Sequence, residues 1–595
     1  MFTPLIAAQS IVLPVSLVLA VLFTVPAAKA LAAPGDGATG KAAETTKLAI
    51  KVDQVGYPTE GPKVALVTVP ATVFQVRRAS NNKVVFRGKL GPVETDPNSG
   101  DQVQAATFTR FHTSGSYYVS VPGVGRSWNF DIGANVFEYT YYLAMRGFYG
   151  QRCGTAVDMG PEFPGHAHPA CHLHGVFHTS SGAQGEQNNI GGWHDAGDYG
   201  RYVVTTGISA GTLMWTWEIY GKKIKNISLR IPESGNGTPD ILNEARWGLE
   251  WMLKMQDTDG GVWHKQTSAG FPGFIVPEAD TEPSKVIGTA TAPYKSTCAT
   301  ADLAAVAAIA ARVYKPFDAQ FAARALEAAR SAWAWTEKYP NVAFENPPGI
   351  STGAYGDANC RDERLWAAAE LWRTTGEAAY QNYFLASYAE FIPRLDSPTT
   401  ATWADVGQMG LWSYALSPRW GEDYKAHGAI REGTLAAARA IVERTRRNPY
   451  HVSLQPKDYV WGSNGVAANH GMTLLMADLM RKNKSDKEFA DAARDDLHYL
   501  LGRNAFSLSW VTHVGENPFQ HPHHRPSAAH PETPPWPGLL SGGPNKDRQD
   551  QVLEALPKDL PPAKVYADEW ASYASNEICI NWQASLVFLL AGEMK

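Results

Sequence analysis

Apolar residues return every three or four positions in about eleven separate runs between residues 136 and 592, and this repetition limits the fold more than any other feature. The runs lie at 136–148, 202–220, 239–256, 299–314, 319–338, 362–375, 377–392, 433–447, 466–482, 486–501 and 570–592. Each reads as an amphipathic helix, and the connecting loops are very unequal in length. No fixed-period repeat links them, which argues against a solenoid. An all-helical toroid is the natural closure for so many antiparallel pairs, with its long loops gathered at one end. The loops at 258–297, 393–432, 450–463 and 502–568 are rich in Trp, Asp, His and Gly, which makes that end the expected functional surface.

The first quarter of the chain has a different texture. Residues 4–28 carry no charge, and Ala28, Ala30, Ala32 and Ala33 supply small residues at cleavage-like spacing. Residues 1–33 read as a secretory signal peptide or, if uncleaved, as an N-terminal anchor, and 34–45 as a small polar linker. Either reading places the folded part outside the cytoplasm, secreted or periplasmic. Residues 46–133 alternate short β-prone segments with Gly-, Pro- and Asn-rich turns, as in a small immunoglobulin-like sandwich. Lys+Arg 53 against Asp+Glu 58, with no basic stretch, argues against a nucleic-acid partner. The five cysteines, Cys153, Cys171, Cys298, Cys360 and Cys579, are odd in number and cannot form a complete disulfide set.

Three strings carry chemistry. In GGWHDAGDYG (191–200), Asp195 and Asp198 stand three apart around Ala196 and Gly197. Two carboxylates so placed can hold a water and accept its proton; the same string also suits an Asx turn with a helix cap. In SWVTHVGENPFQHPHHR (509–525), His523 and Arg525 offer hydrogen bonds to sugar hydroxyls, while the histidines equally suit a metal site or a solvated loop. In YADEWASYASNEICINWQA (566–584), Glu577 lies in an apolar, helix-like stretch that would raise its pKa toward that of a proton donor; the alternative is a Glu on a helix surface.

In order and spacing, the three strings resemble glycoside hydrolase family 9, the cellulase family with an (α/α)6 barrel. The loop S-x-V-T-x-x-G-x-N-x-x-x-x-P-H-x-R runs from Ser509 to Arg525, and the closing motif falls on Tyr566, Asp568, Tyr573 and Glu577. VDQVGYP (52–58) resembles the subgroup with an N-terminal immunoglobulin-like domain, and YVWGSNGVAANHG (459–471) also fits the family. Cys579 and Gln583 depart from its usual small residue and Asn.

The resemblance implies an all-α (α/α)6 catalytic barrel over 136–595 behind a small all-β sandwich. It makes Asp198 the general base, Asp195 the holder of the water, and Glu577 the general acid of an inverting hydrolysis. His523 and Arg525 would bind sugar hydroxyls, Asp568 would tune Glu577, and His264, Trp461 and Trp582 would line the cleft, with a place in the core as the alternative for each. The subgroup's structural zinc falls on Cys153, Cys171, His172 and His194, with a Cys153–Cys171 disulfide as the alternative. The family's calcium falls near Asp357, Asp362, Glu363 and Asp405, with capping of the following helix as the alternative. No organic cofactor is implied.

The expected activity is cleavage of internal β-1,4 bonds in cellulose-like or mixed-linkage glucan by an exported monomer with no stable membrane contact once its signal is cleaved. Attack from chain ends, cellobiase-like or glucosaminidase-like, is the near alternative. A non-catalytic glycan-binding protein is the remote one, since binding alone needs no acid–base pair.

Overall fold

The computed structural model describes residues 48–397, 401–419 and 424–595. The signal or anchor at 1–33 and the linker at 34–45 lie outside the described residues. No helix among the described residues is long and apolar enough to cross a membrane.

Residues 50–133 form two facing sheets. One runs Ile50–Lys51, Val64–Val67, Gln102–Thr107, Glu94–Thr95; the other Gly56–Pro58, Phe130–Gly133, Gly115–Val121, Val73–Arg78, Val84–Lys89. Alternate side chains such as Val119, Val121, Phe130 and Ile132 point inward and close a core with Tyr57 and Phe108. Gln102–Thr107, which reads as polar, pairs in register with Val64–Val67 and covers that sheet.

Twelve helices of ten or more residues follow: α1 Glu138–Gly150, α2 Val203–Ile224, α3 Asp240–Lys254, α4 Thr297–Val313, α5 Ala319–Lys338, α6 Arg361–Thr375, α7 Ala378–Ser387, α8 Gly407–Leu416, α9 Tyr424–Arg447, α10 Ser463–Met480, α11 Glu488–Leu500 and α12 Ile580–Glu593. Helix α2 packs on α4, α4 on α6, α6 on α8, α10 on α12, and α12 back on α2; α1, α3, α5, α7, α9 and α11 pack outside them. Even-numbered helices thus form an inner ring and odd-numbered ones an outer ring, the (α/α)6 arrangement expected. The inner helices are buried nearly all round: α4 keeps sixteen of its residues from solvent, and its Ala-rich surface lets neighbours approach closely.

Two helix assignments change. Helix α8 lies in the stretch read as the 393–432 loop; its two glycines weaken the local helical signal, and burial of Met409, Leu411, Trp412 and Tyr414 stabilises it instead. Residues 570–592 are not one helix. A turn at Tyr573–Asn576 is followed by extended Glu577, and α12 begins only at Ile580. Sandwich and barrel lie in one compact unit. The buried Asp53 carboxylate meets His498 Nδ1 at 2.7 Å, and Gln54 Nε2 donates to the Ser507 carbonyl.

Candidate active site and metal centres

The 191–200 segment closes as a turn. The Asp195 N–H donates to the Gly200 carbonyl and the Gly200 N–H to Asp198 Oδ2, both at 2.9 Å. Each carboxylate then accepts a tyrosine hydroxyl: Tyr202 on Asp198 Oδ2 at 3.2 Å, Tyr355 on Asp195 Oδ2 at 2.7 Å. Asp195 Oδ1 is buried and accepts no hydrogen bond from the described residues. Burial, reinforced by the charge of Asp198, pushes the Asp195 pKa up to about 7.

Glu577 reaches the same place from the far end of the chain. Its strand forms a parallel bridge with His523, and the His523 N–H donates to the Asn576 carbonyl at 2.9 Å. The Ile580 N–H donates to the Asp195 carbonyl, joining the start of α12 to the 191–200 turn. Burial, then the charges of Asp198 and Asp195, hold the Glu577 carboxyl well above its ordinary pKa, with Arg525 opposing. The burial of Glu577 comes from tertiary packing and not from a helix, and the groups acting on it are charged: Asp198, Asp195 and Arg525.

Gly197 is the closest point between the two segments. A Cβ there would lie 1.9 Å from the His523 carbonyl oxygen, so only glycine permits the approach. The Gly197 carbonyl accepts from both the N–H and Nη1 of Arg525, at 3.0 and 2.8 Å, and Arg525 Nε donates to the Pro272 carbonyl. Arg525, expected to fork onto sugar hydroxyls, spends its Nε and Nη1 donors on backbone and welds two loops together. His523 Nδ1 is engaged by the Trp570 carbonyl at 2.6 Å, which turns Nε2 of this half-buried ring away from that backbone.

Three further residues take other places than expected. Asp568 accepts from the Gln520 and His521 N–H groups and from Asn576 Nδ2, so it braces the segments carrying His523 and Glu577. His264 is 1% exposed and stacks flat on Phe344. Its Nδ1 accepts the Ser296 hydroxyl and its Nε2 meets the Ala354 and Tyr355 carbonyls, which puts it behind the site and not in a cleft wall. Trp582 is half-buried over Gly462 and Gly465, backing the turn that presents Trp461. Trp461 is 39% exposed and pairs with equally exposed Tyr573 at 5.6 Å, while exposed Phe274 meets His523 edge-on at 5.3 Å.

Beside Asp195, the ligand atoms of Cys153, Cys171, His172 and His194 all lie within 4.8 Å of one another, and the two cysteines are not disulfide-bonded. Asp280 holds His172 Nε2 at 3.3 Å, while His172 Nδ1 is buried without a hydrogen bond. A carboxylate behind one ring nitrogen, with the other turned inward, is the arrangement of a zinc-ligating histidine, and the donor set fits a closed Cys2His2 centre.

A second cluster gathers carboxylate oxygens of Asp357, Asp362 and Glu363. Both oxygens of Glu363 are buried and unpaired, as are both of Asp302 on α4, whose chemistry is invisible in an Ala-rich run. Burial and mutual repulsion raise the pKa values of Asp302, Asp362 and Glu363. Asp405 stands nearby, paired with Arg394 at 2.7 Å and pushed up to about 7 by burial and by Asp362. Capping of α6 does not account for Asp362, which accepts the Val406 N–H instead. Among the described residues Asp302, Asp357, Asp362 and Glu363 are hard oxygen donors with no cation among their hydrogen-bond partners and suit calcium, whereas Asp405 is already paired with Arg394. Alongside them, Cys298 and Cys360 form a disulfide that sequence spacing did not reveal; it joins the starts of α4 and α6.

The chain matches the model of glycosyl hydrolase family 9 over residues 137–590 and that of the cellulase N-terminal ig-like domain over 45–126. It is 34% identical to Endoglucanase D of Acetivibrio thermocellus over 91% of this chain and 83% of that protein. It is 33% identical to a cellodextrinase of Butyrivibrio fibrisolvens over 91% and 99%. The solved structure of a Zn-binding triple mutant of family 9 endoglucanase J30 superposes with a TM-score of 0.83 at 35% identity, over 90% of this chain and 99% of that one. Sequence, fold and site together make this chain a member of glycosyl hydrolase family 9, a glycoside hydrolase of the endoglucanase type.

Proposed function

We propose that this chain is an exported, monomeric, inverting β-1,4-glucanase that cuts internal bonds of cellulose-like or mixed-linkage glucan. The observation that carries the reading is the meeting of two tyrosine-held carboxylates with a desolvated one. Asp198 takes the proton of a water that Asp195 orients through its free oxygen. That water attacks the anomeric carbon from one face while Glu577 protonates the departing oxygen on the other. Inversion requires base and acid to stand about 6.5–9.5 Å apart, with room for the water between them. Desolvation raises the pKa of Glu577, the direction an acid requires. Trp461, Tyr573 and Phe274 offer exposed ring faces for sugar stacking, with His523 Nε2 among them.

Zinc held by Cys153, Cys171, His172 and His194 would have no open position, and its contribution is to tether the segment leading into Asp195. Calcium held by Asp302, Asp357, Asp362 and Glu363 would neutralise the starts of α4 and α6. Residues 46–133 and 136–595 serve as sandwich and catalytic domains. The uncharged 4–28 segment and the Cys298–Cys360 disulfide, a bond of oxidising compartments, support export.

Proton NMR of the mature protein digesting cello-oligosaccharides tests the mechanism. Early α-anomer from several internal positions, abolished in Glu577→Gln, is expected. A β-anomer product overturns inversion, and release from one end alone moves the reading to an exo-enzyme, as the cellodextrinase relative allows.

A further inference from the structure

Tyr355 donates its hydroxyl to Asp195 Oδ2 at 2.7 Å, yet it sits on an unfavourable piece of backbone. Its φ is +49°, in the left-handed region that side-chain-bearing residues enter only when the surroundings over-determine them. The surroundings that do so are two adjacent residues, His264 and Lys265, at the start of the Lys265–Thr267 strand. His264 Nε2 meets the carbonyls of Ala354 and Tyr355 at 3.0 and 3.1 Å, and Lys265 Nζ meets those of Thr352 and Gly353 at 3.3 and 2.7 Å. Four consecutive carbonyls, 352 to 355, are thereby clamped by a His-Lys dipeptide. Lys265 Nζ also donates to Asn346 Oδ1 at 2.7 Å and Thr352 Oγ1 at 3.0 Å.

Lys265 is the unusual member. It is 0% exposed, and its four hydrogen-bond acceptors are all neutral. Burial pushes its pKa down to about 7, with the charge of Asp198 opposing, and an apolar side chain of similar length would fill the space at lower cost. What an apolar side chain lacks is the set of three N–H donors that fixes the loop. The same residue lies directly across the strand pair from Tyr202, the tyrosine on Asp198, and its Nζ is 5.5 Å from that ring. The rings of Tyr202 and Tyr355 are in turn 4.5 Å apart. Lys265 thus has Tyr202 as a ring neighbour, while its hydrogen bonds reach Asp195 through the 352–355 loop that carries Tyr355.

We propose that Lys265 is a positioning residue for hydrolysis: it holds the 352–355 loop in the one conformation that brings the Tyr355 hydroxyl to Asp195, and so orients the water. This rests on the acid–base reading above. It predicts that Lys265 acts on turnover through Tyr355 and not through sugar binding.

The experiment is a double-mutant cycle on a soluble β-glucan with Lys265→Met, Tyr355→Phe and the pair, together with hydrogen exchange over residues 351–357. The expected result is a fall in kcat of about 10- to 100-fold in Lys265→Met, with KM within about twofold. The pair should be no slower than Tyr355→Phe alone, since the clamp has nothing left to position. Exchange over 351–357 should rise in Lys265→Met while the sandwich strands stay protected. Additive losses in the pair, a loss confined to KM, or unchanged exchange would each overturn the proposal. If Lys265→Met does not fold, Lys265→Gln, which keeps an amide donor, replaces it in the same cycle with the same outcomes. A wild-type chain that cleaves no β-glucan removes the β-glucanase reading; the exchange arm needs no turnover and still decides whether Lys265 holds the loop.

Discussion

Gly197→Ala is the most informative small perturbation of this site, because its size can be worked out beforehand. The added Cβ would sit 1.9 Å from the His523 carbonyl oxygen and 2.8 Å from its carbon, whereas real Cβ contacts essentially never fall below 3.0 Å. The obstacle is backbone, so no rotamer relieves it, and the 195–198 turn must part from the 523 strand by at least about 1 Å. These are the segments that bring Asp195 and Asp198 to Glu577, and the Gly197 carbonyl also anchors Arg525. A displacement of about 1 Å between reacting groups costs about 100-fold in rate, or roughly 3 kcal/mol of transition-state stabilisation. The expected outcome is a kcat on soluble glucan about 100-fold lower, with KM changed far less and a modest fall in Tm. Gly56→Ala is the control. Its Cβ would meet the Asp131 carbonyl at 2.0 Å inside the sandwich, away from the carboxylates, so it should lower Tm and spare kcat below the transition. Near-normal turnover by folded Gly197→Ala would refute the view that this contact sets the base–acid geometry.

Elemental analysis of the purified chain should find one zinc, and Cys171→Ser should lose it along with most of kcat, through release of the 191–195 segment. Chelating calcium should lower Tm, and adding calcium back should restore it in the wild type but not in Asp362→Asn/Glu363→Gln, as melting curves at fixed free calcium would show. Asp496 gives a pH test remote from the carboxylates of the site. Burial raises its pKa to about 7, so the folded state holds a proton that the unfolded state has released, and its stabilising share is lost as pH rises from about 4 to 7. Asp496→Asn, which cannot ionise, should therefore gain on the wild type across that window. The ceiling is about 4 kcal/mol, less about 1–3 kcal/mol for an amide N–H facing the unpartnered Oδ2 position, measured by urea unfolding at pH 5 and pH 8.

Much of the fold is legible in periodicity because inner and outer helices are each specified by a buried stripe. Helix α8 escapes because tertiary burial of Trp412 and Tyr414, and not its local propensity, makes it helical. Glu577 was findable by motif, yet the extended backbone that aims it comes from pairing with His523, fifty-odd residues away in the chain. Tyr355, Lys265 and Asp302 left no signal, since a Gly-rich loop, a short strand and an Ala-rich helix all look inert until the fold brings them to the carboxylates. His264 and Arg525 carry polarity suited to a ligand, and only their distances to backbone carbonyls show where it is spent.

These placements share a physical logic. On the proposed acid–base reading the site needs a fixed gap between base and acid, wide enough for one water, and reacting side chains cannot hold that gap themselves. The Asp195–Asp198 turn is fixed from three directions: through His194 by the cysteine–histidine centre, through Gly197 by Arg525, and through Tyr355 by the clamp at Lys265. Glu577 is fixed from a fourth, by Asp568 through Asn576. Each brace is a buried charge or polar group that would be destabilising alone; Arg525 is satisfied by the Gly197 and Pro272 carbonyls, Asp568 largely by the Gln520 and His521 amides, and Lys265 by backbone and side-chain oxygens together. Backbone partners are the better choice where distance matters, because a carbonyl in a packed loop has far less freedom than a side chain. The large apolar barrel, with an inner ring buried all round, is what makes so many internal polar commitments tolerable in one place.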